Sequence, residues 1–138
     1  MIGLLVVTHG AVARELVDAA RRIVQSPGNI AAVAIDWDQE VDAVRAAIDE
    51  AIRGLDQGEG VILATDMFGG TPTNIALTFL EPGRIEVVTG VNLPMVIKYT
   101  NLETGVSVRE AATLLASRGR SAISVAGEIL SHRAESET

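Results

Sequence analysis

The sequence predicts an α/β protein with an open, doubly wound sheet of four parallel strands and helices on both faces. Four apolar runs, each bounded by loop residues, alternate with segments of helical periodicity. The first and third runs are apolar almost continuously, which is typical of inner strands covered on both faces. A β-α-β-α-β-α-β order requires right-handed crossovers, and these place helices on both sides of a parallel sheet.

The predicted strands are residues 2–7, 30–35, 60–65 and 84–89. A first helix follows strand one, and its periodicity predicts a buried face of Val12, Leu16, Ala20 and Ile23. A second helix precedes strand three, and a third helix is predicted to start at Thr71. "VNLPMVIKYTN" indicates a short helix after the fourth strand.

The C-terminal third is predicted to hold one more helix and one more strand. "SVREAATLLASRG" indicates a helix closed by Gly119. Residues 121–130 alternate weakly and are interpreted as a fifth strand, at a sheet edge or reaching a neighbouring subunit. Residues 131–138 are expected to fray. Residues 1–138 are therefore expected to form a single domain.

Composition excludes several classes of function. The formal net charge of −7 and the pI near 4.7 disfavour binding to nucleic acid. Cysteine is absent, which removes disulfides and thiolate chemistry. The apolar runs are far shorter than the roughly 20 residues that span a bilayer, and no basic leader precedes the first strand. A cytoplasmic protein without membrane insertion is expected.

The polar residues of interest all follow predicted strands. His9 and Gly10 follow the first strand, Asp36 the second, residues 66–71 the third and Asn92 the fourth. In open α/β sheets, ligands bind beyond the carboxyl ends of the strands, where the strand order changes direction. The sequence thus predicts one site at this edge.

His9 and Asp66 are the candidate catalytic pair. An imidazole at a strand end can act as a base, a metal ligand or a nucleophile. A metal site is disfavoured, because the only other histidine is His132 in the tail. A nucleophilic imidazole needs one ring nitrogen held by an acceptor. Strands one and three are expected to be neighbours in this topology, so Asp66 on the adjacent loop would suit. The alternatives are a capping histidine and an aspartate that bonds its own loop.

"GGTP", residues 69–72, predicts an anion-binding helix start. Thr71 fits the N-cap and Pro72 the first helical position. Gly69 and Gly70 leave the backbone free to turn its amides toward a ligand such as a phosphoryl group. The GxxxxGK[ST] and GxGxxG patterns are absent, which disfavours a nucleotide site.

Met67 and Phe68 are unusually apolar for a loop tip. Burial in the core is the favoured interpretation. The alternative is an apolar rim that binds a partner protein.

"LLVVTHG", "DMFGGTPTN" and "GVNLPM" together resemble the EIIA domain of the mannose family of the phosphoenolpyruvate-dependent sugar phosphotransferase system. The resemblance implies that His9 accepts a phosphoryl group from phospho-HPr and passes it to an EIIB protein. It implies that Nε2 of His9 is phosphorylated while Asp66 holds the other ring nitrogen, and that Thr71 lies beside the bound phosphoryl group. Gly10, Gly69 and Gly70 are the further candidate phosphate-binding residues. The resemblance further implies a homodimer that exchanges its last strand, and no metal or nucleotide cofactor.

The resemblance leaves some points open. Many relatives are fused to an EIIB domain, whereas this chain ends at Thr138, so a separate EIIB polypeptide is expected as acceptor. Sugar uptake and regulation are both compatible with the sequence. A noncatalytic module that reports phosphorylation state would use the same His9. A sirohydrochlorin-type metal chelatase also opens with an apolar strand and "HG", but it would leave "GGTP" unexplained.

Overall fold

The computed structural model describes residues 1–137. Its single sheet has four parallel strands, β1 (Gly3–His9), β2 (Ile30–Ile35), β3 (Val61–Thr65) and β4 (Ile85–Thr89). Their spatial order is β2-β1-β3-β4, so the winding direction changes between β1 and β3. The predicted open parallel sheet is confirmed, including the expected contact between the first and third strands.

Six helices complete the described residues: α1 (Val12–Ile23), α2 (Val41–Leu55), α3 (Thr71–Leu77), α4 (Leu93–Thr100), α5 (Val108–Ser121) and α6 (Ala126–Glu137). Helices α1, α4 and α5 cover one face of the sheet, and α2 and α3 cover the other. This confirms the doubly wound arrangement. Across residues 1–137, no helix combines the length and the apolar character that crossing a membrane requires.

Strand β1 explains the unbroken apolar runs. Leu4 and Val6 pack into the core on the α1 side of the sheet, and Leu5 and Val7 pack into the core on the α2 side. All of them are at most 1% exposed. Because both faces of the strand are covered by helices, no position is left for a polar residue before Thr8.

The predicted buried face of helix α1 is right for Ala20 and for Leu16, which packs against the core, but wrong for the two ends of the helix. Ala13, Val17 and Ala20 are buried, whereas Val12 and Ile23 are exposed. The Thr8 hydroxyl accepts the Ala13 N–H at 2.6 Å. This bond fixes the first turn of α1 to the end of β1, with the small residues directed at the sheet.

The predicted end of α5 at Gly119 is wrong, because the helix continues to Ser121. Gly119 instead allows α4 and α5 to approach closely. A Cβ at this position would lie 2.9 Å from Met95 Cε, and the Gly119 carbonyl accepts the Asn92 Nδ2–H at 3.0 Å. The glycine therefore serves helix packing rather than termination.

The predicted fifth strand at 121–130 is also wrong. Residues 126–137 form α6, so the tail predicted to fray is helical as far as it is described, and Thr138 lies outside the described residues. A strand needs a partner, and this segment pairs with no strand of the described chain. Without pairing, its Ala, Glu and Leu residues favour a helix. Exchange of this C-terminal segment between subunits stays a prediction.

Candidate functional site

The ends of three neighbouring strands bring the predicted site residues to one edge. His9 is the last residue of β1 rather than the first residue after it, and it pairs with Ile35 at the end of β2. On its other side, β1 pairs with β3, which ends at Thr65 and leads directly into Asp66. Gly10 adopts a φ of +53° and its N–H donates to the Ile35 carbonyl at 2.8 Å, turning the chain toward α1.

Asp66 holds His9 through a single carboxylate oxygen. Its Oδ2 lies 2.8 Å from His9 Nδ1 and accepts the His9 backbone N–H at 3.0 Å. Its Oδ1 accepts the Met67 N–H at 3.1 Å, as in an ordinary loop-entry aspartate. The side chains of His9 and Asp66 are 23% and 20% exposed. Asp66 therefore contacts the His9 ring and also bonds its own loop, because a different carboxylate oxygen makes each contact.

The Asp66 contact determines which ring nitrogen is free. A carboxylate only accepts hydrogen bonds, so Nδ1 of the neutral imidazole carries the proton and Nε2 keeps its lone pair. A Cβ built on Gly70 would lie 2.7 Å from His9 Cε1 and 3.2 Å from Nε2. The free nitrogen therefore lies directly against the backbone of the glycine pair, where a side chain would not fit.

The loop that carries Asp66 is held by the buried side chain of Thr73 in α3. Thr73 is fully buried, and its hydroxyl lies 2.6 Å from the Thr65 hydroxyl and also bonds the Met67 carbonyl. Helix α3 has Gly70 as its N-cap, so Thr71 is its first helical residue and Pro72 its second. The prediction that Thr71 is the N-cap is therefore wrong by one position.

The glycine pair presents unused hydrogen-bond donors. Within residues 1–137, the N–H groups of Gly69, Gly70 and Thr71 and the Thr71 hydroxyl make no hydrogen bond to the protein. Gly69 has a φ of +90°, a conformation that L side chains rarely adopt. Successive free N–H groups in such a turn suit an anion.

Met67 and Phe68 are 57% and 73% exposed. The favoured prediction that they are buried in the core is wrong. The core on this side is already closed by Ile75 and Ala76 of α3, so the loop tip projects outward next to the site.

Trp37 is a site residue that the sequence analysis missed. Its indole stacks on the His9 imidazole, with ring centroids 5.3 Å apart and planes inclined by 28°. A signal was present, because the chain's only tryptophan follows β2 by two residues and so lies at the same sheet edge.

A cavity of about 440 Å³ lies at the opposite edge, near the amino ends of the strands. Its lining includes Met1, Gly28, Tyr99 and residues 102–106, and it shares no residue with the His9 site. Burial raises the pKa of Tyr99 to about 12, and the Tyr99 hydroxyl donates to the backbone there. Among residues 1–137, no three His, Cys, Asp or Glu side chains are grouped so as to hold a metal ion.

Residues 3–115 match the EIIA-man family, described as the PTS system fructose IIA component. The chain belongs to this family. The resemblance seen in "THG", "DMFGGTPTN" and "GVNLPM" is thereby confirmed, and the chain is an EIIA component of the sugar phosphotransferase system (PTS).

Two relatives illustrate the range of EIIA proteins. The fructose-specific EIIA component of Bacillus subtilis (strain 168) is 24% identical over 131 residues, which are 94% of this chain and 90% of that protein. The mannose-specific EIIAB component of Escherichia coli (strain K12) is 26% identical over 98 residues, which are 70% of this chain and 30% of that longer protein.

Solved EIIA structures share the fold. The EIIA component from Streptococcus agalactiae superposes with a TM-score of 0.82 at 19% identity, over 93% of this chain and 99% of that one. The mannose/sorbose-specific IIA subunit from Enterococcus faecalis gives a TM-score of 0.79 at 26% identity, over 89% and 92%.

We expect Gly70→Ala to displace the His9 ring without unfolding the protein. The φ of −87° and ψ of 167° at Gly70 are open to alanine, so the new Cβ collides with Cε1 rather than straining the backbone. The ¹⁵N signals of the imidazole should shift, and the Nδ1–H signal should weaken. Gly54→Ala is the matched control, because a Cβ there meets nothing within 4 Å. Unchanged ring signals in Gly70→Ala would refute the close contact.

Proposed function

We propose that this EIIA protein carries a phosphoryl group on Nε2 of His9, accepting it from phospho-HPr and passing it to a histidine of an EIIB protein. The observation that carries the proposal is the 2.8 Å contact between Nδ1 and Asp66 Oδ2. This contact leaves Nε2 as the free nucleophile, directed at the loop of unused backbone donors.

The electrons, protons and charges of the transfer step balance without a base or a metal ion. The Nε2 lone pair attacks phosphorus, the N–P bond of the donor breaks, and its electron pair returns to the donor imidazole. Nδ1 keeps its proton, so the phosphorylated ring of His9 carries a positive charge, which the Asp66 carboxylate offsets at hydrogen-bond distance. Transfer to EIIB is the reverse step with a new acceptor.

Gly69, Gly70 and Thr71 are the proposed phosphoryl ligands. Their three N–H groups and the Thr71 hydroxyl are unbonded within the described chain. A phosphoryl group brings nearly two negative charges and three acceptor oxygens, which such donors match. The Gly10 N–H is already bonded to Ile35, so we assign Gly10 to the turn and not to a phosphoryl contact.

Met67 and Phe68 are the proposed contacts for the donor and the acceptor proteins. Both side chains project from the loop that follows Asp66, and both are more than half exposed. Apolar side chains around a reacting centre bury readily against a partner, whereas the acidic chain as a whole repels other acidic surfaces. The proposed donor is a cytoplasmic protein, which places the proposed exchange in the cytoplasm.

A homodimer is also part of the proposal. Every described side chain from 123 to 136 is exposed, including the apolar residues Ile123, Val125, Ile129 and Leu130. Within residues 1–137, the outer edge of β4 pairs with no strand apart from an isolated bridge between Ile85 and Glu81. It lies beside a groove of about 550 Å³ lined partly by Arg109 and Arg120 of α5. We propose that the segment 123–130 of one copy packs on a second copy, which would remove these apolar side chains from water.

We expect phosphoenolpyruvate, Enzyme I and HPr to add one acid-labile phosphoryl group per chain. His9→Ala should abolish the labelling, because it removes the nucleophile. His132→Ala is the matched control, since it removes the only other histidine and should label fully. Intact-mass measurement under neutral conditions gives the stoichiometry. Labelling that persists in His9→Ala would disprove the assignment of His9.

We expect Asp66→Asn to slow phosphoryl transfer by at least roughly 10- to 100-fold, the loss seen when the carboxylate partner of a metal-bound histidine is removed. The amide would still accept the His9 backbone N–H, so the melting temperature should change little. Single-turnover transfer from phospho-HPr measures the rate. Asp36→Asn removes a carboxylate from the same sheet edge and should transfer normally. A wild-type rate in Asp66→Asn would exclude Asp66 from the mechanism.

We expect removal of residues 123–138 to convert a dimer into a monomer, because it deletes the exposed apolar segment. Removal of residues 131–138 alone is the control and should leave the dimer intact, since Ile129 and Leu130 remain. Sedimentation velocity measures both molecular masses. A shortened chain that still sediments as a dimer would place the interface elsewhere.

A further inference from the structure

Trp37 is held over the imidazole by strand pairing. Ile35 is the last residue of β2 and pairs with His9 across the sheet. The loop that follows turns at residues 36–39, where the Gln39 N–H donates to the Asp36 carbonyl at 3.2 Å. This turn directs the indole back over the end of β1, where it covers one face of the His9 ring.

The exposure of Trp37 argues against a packing role. Its side chain is 84% exposed and belongs to neither core cluster. The stack on His9 is the one ring contact found among residues 1–137. A tryptophan left this far in water contributes little to folding, so its position suggests a role in the chemistry of His9.

Three contacts together fix the imidazole. Asp66 bonds Nδ1 at one edge, Gly70 lies against Cε1 and Nε2 at the other, and Trp37 covers a face. The phosphorus on Nε2 would lie in the plane of the ring and beyond its edge, so it would not take the place of the indole on the ring face. The stack is therefore compatible with the free and the phosphorylated forms of His9.

The two forms differ in charge, and this difference gives Trp37 its role. Because Asp66 retains the proton on Nδ1, the imidazole ring of a His9 phosphorylated on Nε2 is cationic, whereas the free ring is neutral. The negative charges of the phosphoryl group lie beyond Nε2, next to the proposed donors of Gly69, Gly70 and Thr71. The face of an indole attracts a cation within about 6 Å of its centroid, and the centroids here are 5.3 Å apart. The stack should thus be stronger after phosphorylation than before it.

We propose that Trp37 is a positioning residue that stacks on His9 and preferentially stabilises its phosphorylated form, shifting the phosphoryl equilibrium from HPr toward this protein. The inference rests on the proposed function, because it requires His9 to be the phosphoryl carrier. It assigns to Trp37 an effect on the stored phosphoryl group itself, separate from any contact that the indole makes with a partner protein.

The equilibrium constant for exchange with HPr tests the proposal. It depends only on the free energies of the separate proteins before and after transfer, so a contact made only within the complex cannot change it. The test compares Trp37→Leu, which keeps apolar bulk without a π face, with Trp37→Phe, which keeps an aromatic face. Each protein is mixed with phospho-HPr, and the phosphorylated fractions of both partners are measured by intact mass.

We expect Trp37→Leu to lower the equilibrium constant by roughly two- to fivefold, the size of an exposed cation–π contact. Trp37→Phe should recover part of the loss. Equal constants in all three proteins would overturn the proposal. A raised KM for phospho-HPr with an unchanged equilibrium constant would identify Trp37 as a docking contact and would overturn it as well.

The fluorescence of the wild-type protein gives a second readout that needs no variant of Trp37. Trp37 is the only tryptophan, so its emission reports directly on the stack. Phosphorylation should change the emission in the wild type and not in His9→Ala. An unchanged spectrum in a protein shown to be phosphorylated would overturn the inference alone. A wild-type protein that phospho-HPr does not label would instead refute the proposed function, and this inference with it.

Discussion

The contact between Asp66 and His9 is the interaction on which the site depends. One carboxylate oxygen accepts both the backbone N–H and the Nδ1–H of the same residue, so it fixes the strand end and the ring together. The contact exists because β1 and β3 are neighbours, although they are separated in sequence by two helices and a strand. The change of winding direction between these strands therefore creates the site, in keeping with the general behaviour of open α/β sheets.

The surroundings of His9 suit exchange between proteins better than retention of a small molecule. The ring lies in an open part of the sheet edge, next to a loop whose donors are backbone amides and one hydroxyl. The cavity at the amino end of the strands is separate from it. In the proposed reaction both donor and acceptor are imidazoles carried by other proteins, so an exposed nucleophile with an apolar rim is required. Met67 and Phe68 are the proposed rim.

Local patterns predicted elements well where local forces decide them. Apolar runs located all four strands, and most clearly the inner strands β1 and β3, because a strand covered on both faces tolerates only apolar residues. The patterns failed where contacts between residues far apart in the sequence decide the structure. Gly119 was predicted to end a helix, but it instead lets the Met95 side chain pack closely against α5. Residues 121–130 were predicted to form a strand, but no strand of the described residues pairs with them. Met67 and Phe68 were predicted to be buried, since periodicity cannot show that α3 already closes the core.

The sequence by itself determined the fold class, the sheet edge that carries the site and the identity of His9, Asp66 and the glycine pair. These follow from patterns of a few adjacent residues, and in the case of Asp66 from the expectation that β1 and β3 pair. The family resemblance implied that Nε2 reacts, but only the tertiary structure decided that Asp66 contacts Nδ1, that Gly70 lies against Nε2 and that Trp37 stacks on the ring. These are distances and angles between groups at the ends of three strands, and their values depend on the twist and register of the folded sheet, which no short stretch of sequence contains.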